Sequence, residues 1–154
     1  MTPLSCQVEP FSEIIREVKP LLQRHWEELA LDKDEVPLDP DWQRYARLEA
    51  SGQLSVVTVR ENGRLVGYSW MIVGPSLHYR STLEAVMDIF WLAPEVRGRM
   101  GGRRLFHAVE RELRRRGVKR VYAGSKLHKD SSALFTALGY TPIERWFSKL
   151  LIGG

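Results

Sequence analysis

One short segment of the chain combines arginine with glycine in a pattern that could bind an anion: Arg97-Gly98-Arg99-Met100-Gly101-Gly102-Arg103. A hydrophobic strand pattern ending at Leu92 and a turn at Pro94 precede this segment, and an amphipathic helix pattern follows it directly. A helix N-terminus presents unpaired backbone N–H groups and the positive end of the helix dipole, and both attract anions. The guanidinium groups add further positive charge. The segment therefore predicts a site for a phosphate or pyrophosphate group.

Charge is unevenly distributed along the chain, whose formal net charge is +4. A positive balance favours anionic partners, whether nucleic acid, a phosphorylated cofactor or an acidic protein surface. Basic residues cluster at Arg97, Arg99, Arg103, Arg104, Arg111, Arg114, Arg115, Arg116, Lys119 and Arg120. Acidic residues cluster earlier, at Glu28, Asp32, Asp34, Glu35, Asp39 and Asp41. The basic edge could hold an anionic cofactor and the acidic edge a cationic substrate. The alternative is that both clusters are solvated faces.

Length and composition limit the class of protein. A chain of 154 residues with 44% hydrophobic residues suits a single domain, residues 1–154, with one core. No apolar run approaches the roughly 20 residues of a membrane span, so no membrane partner is expected. The first residues lack the features of a signal peptide, and Cys6 is the only cysteine, which together predict a cytoplasmic protein. The four histidines lack HxxxH or HxH spacing and predict no metal site.

The elements in the first half of the chain are predicted from apolar spacing and turn residues. A short strand is expected at residues 4–9, followed by a helix over 12–30 that Ser12 would cap. Pro20 should kink or split that helix. Asp39-Pro40 opens a second helix, which Gly52 closes.

The second half is predicted to contain most of the sheet. Strands at 53–60 and 65–73 are joined by Asn62-Gly63, a strong hairpin signal. A strand at 85–92, the helix after the glycines and a strand at 118–123 imply a right-handed parallel crossover. A short helix beginning at Ser131 or Ser132 and a last strand at 141–151 complete the chain. The predicted fold class is α/β (α+β), with one mixed, mainly antiparallel sheet flanked by helices.

Two motifs make the chain similar to the GNAT acetyltransferase superfamily. The first is the family's Arg/Gln-x-x-Gly-x-Gly/Ala signature, which residues 97–102 match except that Met100 stands where the family prefers glycine. The second is Leu134-Phe135-Thr136-Ala137-Leu138-Gly139-Tyr140, which resembles Leu-Tyr-x-x-x-Gly-Phe/Tyr. The resemblance covers nearly the whole chain. The stretches 25–30 and 78–83 also resemble a subgroup common in phages and prophages.

The resemblance implies acetyl-CoA as the cofactor, held by a splayed pair of strands. Pantetheine would lie along residues 88–92 and bond the backbone of Phe90 and Leu92. The pyrophosphate would lie on backbone N–H groups from Arg99 to Arg103. The cofactor-binding residues implied are Phe90, Trp91, Leu92, Arg97, Gly98, Arg99, Met100, Gly101, Gly102, Arg103, His128 and Phe135.

The resemblance also implies an N-acetyltransferase reaction, in which an amine attacks the thioester directly in a ternary complex. Asp88 is the first candidate base, because it is a carboxylate in an otherwise apolar strand and an apolar setting would raise its pKa. Strand alternation would place Val86, Asp88 and Phe90 on one face. The alternative is that Asp88 only orders the site through hydrogen bonds. Glu84 is the second candidate base, and Glu28, acting through water, is the third.

The general acid is less clear, because Phe135 stands where many members of the family place a tyrosine. The remaining candidates are Tyr140, Tyr122, His128 and Ser125. A thiol pKa near 8.5 also allows the thiolate to leave without assistance.

The acceptor is expected to be a small-molecule or protein amine. Acidic residues in the segment 28–41 favour a cationic one, and His25, Glu28 and Tyr79 are the candidate substrate-binding residues. The chain is expected to be a monomer or a homodimer, since the apolar segment 146–151 could pair between copies.

Two other functions are compatible with the sequence. A catalytically weak or inactive CoA-binding protein is suggested by Met100 and Phe135. A nucleic-acid-binding module would use the basic helix at 111–120, but it leaves the glycine segment without a role.

Overall fold

The computed structural model describes residues 2–153. The strands and helices follow the predicted α/β order closely. They are β1 (Leu4–Val8), α1 (Phe11–Leu29), α2 (Trp42–Ala50), β2 (Leu54–Glu61), β3 (Arg64–Pro75), β4 (Leu83–Leu92), α3 (Gly101–Arg115), β5 (Arg120–Tyr122) and α4 (Ser132–Ala137). A single 3₁₀ turn, Pro94–Val96, links β4 to the glycine segment. Within the described residues, no helix is both long and apolar enough to cross a membrane.

The five strands form one sheet in the order β1-β2-β3-β4-β5. Neighbouring strands are antiparallel except β4 and β5, which are parallel, so the predicted mixed sheet and crossover are confirmed. Adjacent residues of a strand point to opposite faces. Phe90 packs on Phe106 of α3, whereas Trp91 stacks on His25 of α1. The sheet therefore lies between α3 on one face and α1 on the other.

The predicted hairpin between β2 and β3 is confirmed. Asn62 and Gly63 both have positive φ, 51° and 77°, as a tight turn between right-twisted strands requires. Because the turn depends on local backbone preference, the residue pair Asn62-Gly63 was enough to predict it.

The predicted cap of α1 is wrong. The helix begins at Phe11, and Pro10 is its N-cap without a side-chain hydrogen bond. The carboxylate of Glu49, in α2, accepts hydrogen bonds from the backbone N–H groups of Phe11 and Ser12. Pro20 lies inside α1 and does not divide it.

A β-bulge in β4 alters the expected alternation of its side chains. Opposite β4, Trp70 pairs with Ile89 and the next residue, Met71, pairs with Met87, so that Asp88 is the extra residue. A bulge re-aims the side chains on either side of it. Asp88 consequently contacts α2 while Phe90 contacts α3, and the prediction that the two share a face is wrong.

The predicted last strand at 141–151 is also wrong. Residues 141–153 have no regular secondary structure, and no backbone hydrogen bond joins them to the other described residues. β5 is shorter than predicted and lies at the sheet edge. A strand exists only where another strand pairs with it, and this segment has no partner strand among the described residues.

Candidate active site

The strand pair β4 and β5 opens into a cleft. The two strands pair from Glu84↔Arg120 to Val86↔Tyr122 and no further, whereas β3 follows β4 as far as Leu92. The backbone of residues 87–92 therefore has no strand partner on the β5 side within the described part of the chain. An unpaired strand edge offers alternating N–H and C=O groups to an extended ligand.

The cleft leads to the N-terminus of α3. Gly98 and Met100 both have positive φ, 76° and 62°, and Met100 is the N-cap of the helix. No side chain of the described residues caps α3, so the first-turn N–H groups have no helical or side-chain partner among them. The Met100 side chain is 57% exposed, so this departure from the family signature is accommodated by pointing the side chain towards solvent.

Gly101 and Gly102 leave little room for a side chain where α3 meets its neighbours. A Cβ atom on Gly101 would lie 3.1 Å from a methyl group of Leu4, and one on Gly102 would lie 2.9 Å from a methyl group of Leu134. The start of α3 therefore packs closely against Leu4 of β1 and Leu134 of α4.

The predicted cofactor residue Arg97 and the predicted substrate residue Glu28 contact each other. Arg97 Nη1 lies 2.9 Å from Glu28 Oε2, and Arg97 Nε donates to the carbonyl oxygen of Leu92 at 3.0 Å. The Trp91 indole N–H donates to the same carboxylate at 3.1 Å. The hydrogen bond from Arg97 lowers the pKa of Glu28, so Glu28 is a poor proton acceptor at neutral pH.

The other two arginines of the segment differ in their partners. Arg99 forms an ion pair with Glu61 at 2.6 Å and donates to the carbonyl oxygen of Thr2. Arg103 is exposed and forms no ion pair with any described residue. Arg103 is therefore the guanidinium group of this segment that is available to a ligand.

Asp88 lies at the bulge and is exposed, so the expected apolar setting is wrong. The hydroxyl group of Tyr45, in α2, donates a hydrogen bond to Asp88 Oδ2. Burial of Tyr45 and its contact with Asp88 raise the pKa of the phenol, which keeps it protonated as a donor. Tyr45 was not found from the sequence, because only the packing of α2 against β4 brings it to Asp88.

The surroundings of Glu84 do not suit a catalytic base. Its side chain is buried, and it accepts hydrogen bonds from Arg120 Nε at 2.5 Å and from the Tyr122 hydroxyl at 3.2 Å. Burial would raise the pKa of Glu84, but the hydrogen bonds, led by that from Arg120, outweigh it and lower the pKa. Glu84 links β4 to β5, and its carboxylate is already bonded to Arg120 and Tyr122.

His25 lies on the inner side of α1. Its Nδ1 is 2.8 Å from the Tyr68 hydroxyl, and its ring stacks on Trp91 with centroids 6.1 Å apart. Burial lowers the pKa of His25 to about 4, more than the nearby Glu28 carboxylate raises it. His25 is therefore neutral at physiological pH.

The candidate acids are placed differently from one another. Phe135 is buried in a row of aromatic rings between Phe106 and Tyr140, with centroid distances of 5.0 and 5.4 Å. The Tyr140 hydroxyl is buried and has no hydrogen-bond partner among the described residues. Burial raises the pKa of Tyr140 to about 12.

The other three candidate acids have partners. The Tyr122 hydroxyl is bonded to Glu84 and Ser125 Oγ to Asp130, and His128 Nε2 lies 3.1 Å from the carbonyl oxygen of Leu29.

Tyr79 lies in the loop between β3 and β4. Its ring is 53% exposed, and the guanidinium of Arg120 lies 4.8 Å from the ring centroid. The structure therefore places Tyr79 near the start of β5, where an incoming molecule could contact it.

Solved structures with the same fold include acetyltransferases. A ribosomal-protein-alanine N-acetyltransferase from Brucella melitensis biovar Abortus 2308 has a TM-score of 0.73 at 16% identity, over 99% of each chain. A protein described as a predicted acetyltransferase from Clostridium acetobutylicum, solved with acetyl-CoA, has a TM-score of 0.74 at 12% identity, also over 99% of each chain. An aminoglycoside acetyltransferase from an uncultured soil metagenomic sample, in complex with sisomicin, has a TM-score of 0.69 at 14% identity, over 96% of each chain. No curated protein matches the sequence.

A family model extends this similarity from fold to sequence. The model described as Acetyltransferase (GNAT) family matches residues 15–140. The match includes the cleft strand β4, the glycine–arginine segment and the second motif up to Tyr140. The chain therefore belongs to the GNAT acetyltransferase family.

Proposed function

We propose that the chain, as a single domain over residues 1–154, is an acetyl-CoA-dependent N-acetyltransferase that acts on a primary amine by direct attack in a ternary complex. The observation that carries this proposal is the open edge of β4, which leads into the uncapped N-terminus of α3. An extended arm ending in a pyrophosphate fits a strand edge followed by a helix terminus. A neighbour of the same fold was solved with acetyl-CoA, which supports the choice of ligand.

We assign the two ends of the cofactor to different backbone groups. Acetyl-CoA supplies the acetyl group as a thioester. The backbone of Phe90 and Leu92 would bind the pantetheine, and an N–H near Phe90 or Trp91 would stabilise the charge that develops on the thioester oxygen. The first-turn N–H groups of α3, with the Arg103 side chain, would hold the pyrophosphate. His128 and Phe135, which the family resemblance implies as cofactor residues, would border the arm.

Asp88 is the proposed base. The Tyr45 hydroxyl occupies Oδ2, which leaves Oδ1 free to accept the proton of the attacking ammonium. The bulge aims this carboxylate out of the sheet, and its exposure lets an amine reach it. Tyr45 would act as a positioning residue, because it fixes the orientation of the carboxylate.

Tyr140 is the proposed proton donor to the departing thiolate. Of the four candidate acids it alone has a side-chain donor without a partner among the described residues. Its raised pKa keeps the hydroxyl protonated. A thiolate with an ordinary pKa near 8.5 needs little assistance, so we expect Tyr140 to contribute less than Asp88.

A cationic amine is the proposed acceptor. The loop after α1 exposes Asp32, Asp34 and Glu35, which attract positive charge. Two neighbours are named for acetylating ribosomal-protein alanine and aminoglycosides, and both acceptors are amines.

The basic helix supports a nucleic-acid-binding role only weakly. Arg114 pairs with Glu110 at 3.3 Å, and Arg115 and Arg116 both pair with Glu112 at 2.7 and 2.8 Å. Guanidinium groups already paired within the helix have less to gain from phosphate. The glycine segment also remains without a role in such a protein.

The proposed function is tested by the release of CoA from acetyl-CoA. The thiol is measured with a polyamine, an aminoglycoside, a lysine peptide and a peptide with an N-terminal alanine. We expect turnover with at least one of these amines and a loss of about 10²-fold or more in kcat for Asp88→Asn, with unchanged affinity for acetyl-CoA. Tyr45→Phe should lose less than Asp88→Asn.

Glu13→Gln, an exposed change on α1, is the matched control and should keep full activity. An unchanged kcat in Asp88→Asn would remove Asp88 from the mechanism. Binding of acetyl-CoA without turnover on any amine would favour the catalytically inactive CoA-binding protein instead.

A further inference from the structure

The C-terminal segment, residues 141–153, lies outside the helices and the sheet. It forms no backbone hydrogen bond with the other described residues, and its one side-chain hydrogen bond joins Trp146 to Glu144 within the segment itself. Its sequence is nevertheless rich in aromatic and branched apolar residues, which are typical of strands.

The apolar side chains of this segment are strongly exposed. Exposure reaches 87% at Trp146, 93% at Phe147 and 88% at Leu151, and Ile143 and Ile152 are 71% and 62% exposed. Two copies covering these side chains would remove on the order of 1,500 Å² from water, which is the size of a standard specific interface. An exposed apolar surface of this size marks an interaction site.

The two edges of the sheet differ in their ability to accept another strand. At the β1 edge, Arg104 donates to the carbonyl oxygen of Leu4, and Arg99 donates to that of Thr2 just before the strand, so side chains occupy the start of this edge. At the other edge, β5 pairs with β4 and with no other described strand. Beside it on β4, Val86 is 51% exposed, so this part of the sheet is also uncovered. The β5 edge, whose backbone accepts no side-chain hydrogen bond from the described residues, is therefore the more open of the two.

We propose that two copies of this chain form a dimer in which residues 143–152 of each copy add as a strand to the β5 edge of the other. The chain carries both an unpaired strand-forming segment and an open sheet edge, but it does not join them within one copy. A reciprocal exchange about a two-fold axis satisfies both features in both copies and closes the assembly. The dimer is independent of the proposed enzymatic activity.

Hydrophobic burial, rather than charge, must drive this association. Arg145 and Lys149 of the segment, partly offset by Glu144, have the same sign of charge as Lys119 and Arg120 at β5, where Arg120 is paired with Glu84, so the repulsion is weak. Salt screens such repulsion. The dimer is therefore expected to persist or strengthen as salt is raised, in contrast to a contact made by opposite charges.

The first test measures the mass of the full chain in solution by light scattering at two salt concentrations. The expected mass is twice the 17.8 kDa of one chain. Trp146→Asp combined with Phe147→Asp should give a monomer. Leu77→Asp, an equally exposed apolar residue in the β3–β4 loop, is the matched control and should leave the dimer intact. A monomeric wild type, or a dimer that survives the double change, would overturn the proposal.

The second test locates the contact by cross-linking in a Cys6→Ser background. One sample carries Gly124→Cys, just after β5, where a Cβ atom meets nothing closer than 3.8 Å, and another carries Ser148→Cys. A short bismaleimide should link the two chains only after the samples are mixed. Replacing the Gly124→Cys partner with Glu13→Cys on α1 should abolish the cross-link. Linkage within a chain that carries both cysteines, without linkage between chains, would show that the segment folds onto its own β5 and would contradict the exchange.

Discussion

At the scale of single residues, the ion pair between Arg97 and Glu28 determines which groups of the proposed anion site are free to bind a ligand. Arg97 begins the family signature, yet it is bonded to Glu28 and to the carbonyl oxygen of Leu92. Arg99 is likewise bonded to Glu61 and Thr2. Backbone N–H groups and Arg103 are therefore left to hold a phosphate. Arg97 and Arg99 instead stabilise the loop before α3 through these bonds.

His25 stacks on Trp91 beside this ion pair, and its protonation changes the free energy of unfolding. Its pKa is lowered by burial from the ordinary 6.5 to about 4, so the unfolded chain binds a proton more readily than the folded chain between these values. Stability must therefore fall as pH falls from 6.5 towards 4. We expect about 2 kcal/mol of the free energy of unfolding to be lost between pH 7 and pH 5 through this residue.

Urea unfolding of His25→Gln and of the wild type at both pH values measures this loss. The variant should be less stable at pH 7 but less sensitive to pH. His107→Gln, an exposed change on α3, should retain the wild-type sensitivity. Equal pH dependence in His25→Gln and the wild type would show that His25 is not held neutral by the fold.

At the scale of elements, the approach of β3 to β4 depends on Gly67. A Cβ atom there would lie 2.9 Å from the Trp91 carbonyl oxygen and 2.5 Å from a Leu92 methyl group. Gly67→Ala is expected to destabilise the chain by about 1–3 kcal/mol, because backbone cannot move aside as a side chain does. Gly74→Ala, in the same strand, meets nothing closer than 3.6 Å and should change the free energy of unfolding little. Thermal unfolding of both variants measures the difference. Equal losses of stability in the two variants would contradict the close approach of β4 to Gly67.

The elements that the sequence predicted best were those specified by neighbouring residues. The Asn62-Gly63 turn and the helix after the glycine segment need only local conformation, and both are confirmed. Glu49 at the N-terminus of α1 and Tyr45 at Asp88 could not be predicted, because each contact joins residues far apart in the chain. The bulge at Asp88 likewise depends on the register of β3. The strand at 141–151 was predicted from composition, which cannot show whether a partner strand is present.

At the scale of the whole molecule, a positive region and a negative region lie next to each other, since Arg97 of the glycine segment bonds Glu28 just before the acidic loop. The uncapped N-terminus of α3 and Arg103 provide positive charge where β4 ends, and the loop after α1 exposes acidic residues. In the proposed reaction, an anionic cofactor and a cationic amine would be attracted to these neighbouring regions, and direct transfer requires the two to be held close together. Two of the other four arginines of α3, Arg114 and Arg115, have carboxylate partners, and Arg104 donates to the carbonyl oxygen of Leu4, which limits the attraction for anions along the helix.

Calorimetric titration with acetyl-CoA tests the central claim most directly. It is made on the wild type, on Arg103→Ala, and on Arg111→Ala, which removes an exposed arginine about two turns further along α3. We predict micromolar binding by the wild type and by Arg111→Ala, and about tenfold weaker binding by Arg103→Ala, the loss expected for one charge-assisted hydrogen bond. No binding by the wild type, or equal weakening in the two variants, would contradict a cofactor site at the start of α3.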